Sequence, residues 1–585
     1  MRNLLCVLLV ICGVQSGFTL DRQAFTFTDY DLRIKITGET QSFEAEGRVT
    51  LRNDTAQPQS NPVLQISSTL GWNSITVAGK AVQYLTEAYT SDVDHSGRLS
   101  EAVLTLPPVP PQGTVEIEIK YRGKIPQDTT RLTRIGVPAQ RAALSDWDRI
   151  SESFTGVRGI GYVAWYPIAT EAASLSEGSQ VFETTEAWKR RQAQTNFSAN
   201  ICTGEYATRP AVEGIIANVI WGEGVGPTHI GPPGPPNTMC NVFAWKPLQL
   251  TVPTFVIGDY QRCAQSPIAI RCLAGHESYA RAWAAAGEKT TPFITQWFGP
   301  RKRPVQLVEL PDKNMYPFEG GSVFFTPLVS GPEKEKEIEV VLAHALAHAS
   351  FQSPRLWMDE GLAHFAQALV RKQQEGRKTA LAYMDERLRP LQEAEKEFSP
   401  AAVGKQSGSP PKGQPLVDSV DEVFYRTKAM FVWWMLRDMV GDDALERAIR
   451  AYRPDQDKEP SYFQHLLAEQ VHRDLEWFFD DWVYRDRGLP EFHITAVYPR
   501  KLIPQDWSVT VTVENSGSAG AEVPVAVRAA QGEERKRLEV RAHEKAVVRI
   551  PIPVMPQQAA VNDGSVPETD MNNNTAEIPA TETPK

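Results

Sequence analysis

The chain has 585 residues, 42% of them hydrophobic and 23% charged, a balance that excludes a disordered or fibrous protein. Its length asks for roughly three or four units of about 150 residues each. The 71 acidic and 61 basic residues leave a net charge of -10 spread along the sequence, so no basic block marks a nucleic-acid partner, and no long repeat marks a solenoid or propeller.

In chain order, the first element is a leader-like segment. Arg2 precedes an apolar run over 4–14, and the small Ser16 and Gly17 offer a cleavage point, so residues 1–16 read as a signal peptide and the protein as exported, to a periplasm or the outside. Eleven apolar residues are too few to span some 30 Å of hydrocarbon, and no later segment is long enough either. A lipid anchor on Cys12 is disfavoured by the bulky Ile11 before it. Removal of Cys6 and Cys12 with the leader leaves Cys202, Cys240, Cys263 and Cys272, enough for two disulfides in an oxidising compartment. Proximity favours Cys202 with Cys240 and Cys263 with Cys272; the alternative is four small buried thiols.

Residues 31–122 alternate apolar and polar side chains, as in Leu32, Ile34 and Ile36 or Val115, Ile117 and Ile119, with Gly, Pro and Asn between the runs. This predicts antiparallel β structure. The same texture returns over 212–220 and 248–257 around the proline-rich loop GPTHIGPPGPPN, giving one β domain over 17–262. After Cys272 the spacing becomes helical in HESYARAWAAAGEKTTPFITQWF and in EKEKEIEVVLAHALAHASF, on either side of the strand-like VQLVEL. A mainly helical unit therefore runs over 263–499. Within it GKQSGSPPKGQP is a loop and VFYRTKAMFVWWMLRDMV an apolar helix. From 500 to 585, VTVTVENSG, VPVAVRAA and VRIPIPV predict a small β-sandwich with a polar tail from Asn562 that need not be ordered.

The chemistry lies in the helical unit. His344 and His348 are four apart, so a helix stacks their imidazoles on one face, where they suit one zinc ion. A third ligand is available in Glu360, at the start of a second helix reached through a short turn at SPR. A histidine pair alone is more often ordinary surface or core. The acids of EKEKEIE most simply begin a solvated helix, whose positive end they suit. His276, His465 and His472 have no partner spacing, and His364, one turn after Glu360, reads as packing rather than as an outer-sphere partner or alternative ligand.

The ordered set VELPD, PFEGGSVFF, HALAH, WMDEG and YRTKAMFVWWML resembles the gluzincin aminopeptidases of the aminopeptidase N type. The likeness is good over about 275–490 and loose over the β domain, with FVIGDYQ and DWVYRDRGLPEF resembling that family's domain borders. It implies a multidomain α+β chain: an N-terminal antiparallel β domain, a thermolysin-like, mainly helical catalytic domain and a C-terminal Ig-like β-sandwich. It further implies one Zn2+ held by His344, His348 and Glu360, an oxyanion donor in Tyr425, and a carboxylate, Glu319, that grips the free amine of a peptide or protein substrate.

Three departures accompany the likeness. Gly320 replaces the asparagine usual after Glu319, which loosens the implied restriction to amino termini. The gap between His348 and Glu360 is shorter than usual. Ala345 replaces the glutamate of H-E-x-x-H, and alanine can neither take a proton from water nor pass one to the leaving amine. General acid-base assistance is worth roughly 10²- to 10⁴-fold, so hydrolysis is predicted to be severely impaired. The readings left open are an impaired peptidase, a pseudopeptidase that binds zinc and peptide without cleavage, and a scaffold whose metal only ties two helices together. The joint presence of Glu319 and Tyr425 disfavours the last.

Overall fold

The computed structural model describes residues 20–203, 219–222, 239–265, 267–302, 305–320, 323–329, 331, 334–397, 415–502 and 506–579. The leader segment, the loop GPTHIGPPGPPN and all but the last residue of GKQSGSPPKGQP lie outside them. Among the described residues no helix is long and apolar enough to cross a membrane.

A seven-stranded sheet dominates the N-terminal part, in the spatial order Met239–Trp245, Asn196–Thr203, Phe25–Thr37, Ser42–Asn53, Thr114–Lys124, Leu70–Val77, Lys80–Ala81. The alternation of the sequence is the alternation of the sheet: Leu32, Ile34 and Ile36 are buried between exposed neighbours. The pairing differs from the all-antiparallel expectation at one place. Phe25–Thr37 runs parallel to Asn196–Thr203, a pairing made possible by the long intervening chain, since parallel neighbours need a crossover rather than a hairpin. Over 248–257 only the end is strand, Phe255–Gly258; Pro253 just before it has no amide to give a sheet. Both expected disulfides are present, Cys202–Cys240 joining opposed residues of two neighbouring strands and Cys263–Cys272 closing a hairpin.

The middle part is not helical alone. Five strands, in the order Tyr260–Ala264, Ala269–Leu273, Gln306–Glu309, Val323–Thr326, Phe318–Gly320, form a mixed sheet against which the helix Glu277–Phe298 packs. One buried cluster ties this sheet to the N-terminal part, with Trp147, Phe154 and Val256 against Val308, Leu310 and Phe325. Behind the sheet lie the helices Glu335–Ser350 and Leu356–Glu375, then the helix Ala429–Val440, which is entered through a π-helical turn, Val423–Lys428.

The C-terminal sandwich packs strands Phe492–Lys501, Trp507–Asn515 and Lys545–Ile552 against Glu533–Val540, Ala521–Ala529, Pro556–Val561 and Thr575–Glu577. Its first strand starts ahead of the expected border at 500. The polar segment is folded over 562–579, where the sequence did not require order. Its Glu568 is fully buried and accepts hydrogen bonds from the Phe492 amide and the Asn562 and Asn574 side chains, which gives the polar stretch an interior of its own. Trp482 donates to the Gly520 carbonyl at 2.8 Å, and the apolar core runs on from the helices into the sandwich.

The π-helical turn is fixed at its end by a buried ion cluster. Lys428 lies 2.7 Å from Glu395 and 3.2 Å from Asp486, with all three side chains at most 4% exposed. Removing the cation would strand two carboxylates in the interior. Lys428→Met is therefore expected to lower stability by about 3 to 5 kcal/mol in denaturant unfolding, whereas a loss below about 1 kcal/mol would show that water reaches the cluster.

Candidate metal centre

The helix Glu335–Ser350 opens with Glu335 and Glu337 in its first turn, where acids suit the positive end of the helix. It then becomes alanine-rich. Ala343, Ala345, Ala347 and Ala349 are all buried, and such small side chains let neighbouring helices approach closely. The turn over 351–355 is clamped: the Ser353 amide donates to Asp359 at 3.0 Å, and Arg355 makes a bidentate pair with Asp457. These bonds set the angle at which Leu356–Glu375 leaves and bring Glu360 back over the histidines.

Close approach on the far side depends on Gly361. A Cβ there would lie 2.6 Å from the Ala429 Cβ and 3.1 Å from the Trp433 indole nitrogen. Trp357 and Trp433 stack beside it with ring centroids 4.9 Å apart, and Trp433 donates to the Trp357 carbonyl. Glu360 is thus carried on a helix face pressed against the helix that follows the Tyr425 turn.

The side chains converge as follows. The Nε2 atoms of His344 and His348 are 3.2 Å apart. Glu319 comes from the edge strand Phe318–Gly320 and places Oε2 3.1 Å from His344 Nε2. Donor atoms of Glu319, His344 and His348 all lie within 4.8 Å of one another. Glu360 stands farther off, with its oxygens 3.9 Å from His344 Nε2 and 3.7 Å from His348 Nε2. Two imidazoles with carboxylates are a donor set zinc accepts. Two orphaned buried atoms, Glu319 Oε1 and His344 Nδ1, belong to the same cluster, so the residues fit a cation.

The charges are strongly coupled. Burial disfavours the His348 imidazolium, but Glu319, Asp359 and Glu360 outweigh it and lift the group to about 10. Burial likewise opposes ionisation of Glu360, yet Arg426 and the histidines hold it well below the usual carboxylate range. His364 is pushed the other way, by burial and then by His344 and Arg426, and stays neutral. Its ring lies 4.9 Å from that of His344, and neither of its nitrogens has a partner.

Two participants escape a reading of the sequence. Arg426 donates to Glu360 at 3.1 Å and also pairs with Glu422. The apolar run suggests a regular helix there, whereas the π-helical turn shifts which side chains face the cleft. Asp359 lies 3.5 Å from His348 Nδ1, the place of an acceptor that orients a ligating imidazole. Its only signal was its position beside Glu360. Tyr425 is buried on the π-helical turn; burial first, and then Glu186, Glu360 and Asp421, raise its phenol strongly and keep it protonated. Glu186 belongs to the helix Gln180–Arg191 of the N-terminal part, whose Arg190 donates to the Ser419 carbonyl at 2.9 Å, so that part walls the cleft beside Tyr425. Gly320 has only ordinary contacts around a hypothetical Cβ, the nearest at 3.5 Å, and the structure gives no backbone reason for glycine there. Ala345, 3% exposed, adds no functional group.

No protein-family model and no curated protein matches the chain. Similar solved structures are those of a zinc metallopeptidase of the M1 type from Deinococcus radiodurans. A single-site mutant of it has 15% identity over 80% of this chain and 96% of that one, with a TM-score of 0.47. The protein without that mutation has 14% identity over 79% and 94%, also at 0.47. The mutant bound to a Tyr-Ser-Ala substrate has 16% identity over 80% and 96%, again at 0.47.

If Gly361 sets the distance between the helices, Gly361→Ala should push Glu360 away from the histidines. The expected result is a stability loss of about 1 to 3 kcal/mol with weakened zinc binding. Unchanged zinc affinity in the folded variant would mean that Glu360 adjusts independently of its helix.

Proposed function

We propose that the chain is an exported zinc protein on an aminopeptidase N type scaffold, in which hydrolysis of peptide amino termini is severely impaired because Ala345 stands where a general base is needed. The observation that carries this reading is the 3.2 Å approach of His344 Nε2 and His348 Nε2, flanked by the carboxylates of Glu319 and Glu360. Export is supported by the leader-like residues 1–16 and by two disulfides, which persist in oxidising compartments.

Zinc bound at such a site supplies Lewis acidity, polarising a carbonyl and acidifying water. The chain's own residues supply the rest. His344 and His348 hold the ion, Asp359 orients the His348 ring, and Glu360 adds a carboxylate steadied by Arg426. Tyr425, kept protonated by its burial, is the donor for a developing oxyanion. Peptide amino termini are the substrate class that the family resemblance implies, with Glu319 as their counter-charge. What is missing is a carboxylate at 345 to carry the proton from water to the departing amine. A second reading, capture of peptides without cleavage, draws on the same alanine.

Elemental analysis of the purified protein is expected to find about one zinc per chain, lost in His348→Ala. Ala345→Glu is expected to hydrolyse aminoacyl amides or short peptides at least about 10²-fold faster than the unaltered chain, the lower end of what general acid-base catalysis contributes. Zinc well below one equivalent, or retained by His348→Ala, would overturn the metal assignment. A folded, zinc-loaded Ala345→Glu protein that stays inert would leave capture as the function.

A further inference from the structure

Glu319 is carried by a strand that is supported on one side only. Phe318–Gly320 lies at the edge of its sheet and pairs with Val323–Thr326, Phe318 opposite Phe325 and Glu319 opposite Phe324. Side chains alternate along a strand, so the twist that turns Glu319 toward His344 turns Phe318 the other way. So short a strand, paired on one edge, takes its tilt from whatever Phe318 packs against. That support comes from the N-terminal part. The Tyr316 amide donates to the Leu144 carbonyl at 3.0 Å, and the Trp147 indole nitrogen donates to the Tyr316 carbonyl at 3.1 Å. The Tyr162 ring then meets Phe318 edge to face, with centroids 5.4 Å apart. Trp147 and Tyr162 are joined to one another by Arg158. Its guanidinium carbon lies 4.0 Å from the Trp147 ring centre, 3.5 Å from that of Tyr162 and 5.5 Å from that of Phe318. This guanidinium is 2% exposed and pairs with the fully buried Asp148, from Nη2 at 2.6 Å and from Nε at 3.1 Å. Asp148 also accepts the Arg158 amide at 2.7 Å, and Nη2 donates again to the Ser145 carbonyl at 2.6 Å. Buried ion pairs are often no more stabilising than apolar residues of the same size, so the geometry of this one is the better guide to its role.

We infer that Arg158, fixed by Asp148, is a positioning residue for Glu319: stacked on Trp147 and Tyr162, it holds Phe318 and so sets where the next side chain meets a peptide's amino terminus. This rests on the role proposed for Glu319 above and deepens it, because recognition of the amine becomes a joint property of the N-terminal part and the metal-bearing part. The Glu319 side chain is 18% exposed, so a ligand from solution can reach it. Binding groups must be held to within about 0.5 Å by neighbours whose own rotamers are locked, and the Asp148–Arg158 pair with its stacked rings is such a support. Lysine would keep the charge opposite Asp148 but offers no flat face to the rings.

The test measures, by calorimetry on the zinc-loaded full chain, the affinities for tri-alanine and for N-acetyl-tri-alanine, and takes their ratio. The unaltered protein is expected to bind the free-amine form at least about 10-fold more tightly, the factor expected when a partly buried carboxylate loses its partner. Tyr162→Leu leaves the ion pair in place but removes the ring between Arg158 and Phe318, and Arg158→Lys keeps the charge without the stack. Each is expected to bring the ratio to within about threefold of unity, while Tyr162→Phe, which keeps the ring, preserves it. Zinc content should stay at about one equivalent in every variant, since the histidines are untouched. A merely structural role for Arg158 would lower the unfolding temperature of these variants and leave the ratio alone. If either Tyr162→Leu or Arg158→Lys is folded and keeps the ratio of the unaltered protein, Arg158 does not position Glu319; should Arg158→Lys fail to fold, Tyr162→Leu decides. If the unaltered protein binds both forms equally, the amine role of Glu319 falls and the positioning role with it, although the zinc reading survives.

Discussion

Two imidazole nitrogens held 3.2 Å apart inside a protein need a reason to stay together, and most of the surrounding architecture bears on that pair. Helical spacing of four places the rings on one face, but the environment gives the pair its character. Three carboxylates, Glu319, Asp359 and Glu360, surround His348 strongly enough to overcome burial. Each comes from a differently constrained element. Glu319 is held by a sheet edge, while Asp359 and Glu360 are held by a helix whose entry is fixed through Arg355 and Asp457 and whose back is fixed by the glycine contact with Ala429. Concentrated charge in a walled cleft is costly unless a cation shares it, which is why the cluster reads as a metal site rather than as a salt-bridge network.

On the proposed reading, Ala345 beside His344 separates binding from chemistry: the groups proposed to hold, orient and polarise are present, and the one proposed to move a proton is not. Arg426 changes the balance further. By engaging Glu360 it adds a fixed cation to the charges around the histidines and helps keep that carboxylate ionised.

Much of this was legible in the sequence where a local rule determines the outcome. Period-two alternation gave Phe25–Thr37 and Thr114–Lys124, and spacing of four gave the adjacent histidines, which meet edge to face. Cysteine proximity gave both disulfides. What was not legible depends on contacts between distant segments. The parallel pairing of Phe25–Thr37 with Asn196–Thr203 is settled by a crossover of well over a hundred residues, and the folding of the polar stretch after Asn562 depends on the buried Glu568 answering a strand amide 76 positions away. Arg426 was hidden because a π-helical turn looks like ordinary helix in an apolar run, and Asp359 because its partner is the outer nitrogen of a histidine rather than the inner one.

The most direct test of the account is anomalous diffraction at the zinc edge from crystals of the zinc-loaded full chain. The account predicts one strong peak between the helices Glu335–Ser350 and Leu356–Glu375, about 2.0 to 2.1 Å from the Nε2 atoms of both His344 and His348. A peak elsewhere, or no peak at this site in zinc-loaded crystals, would contradict it.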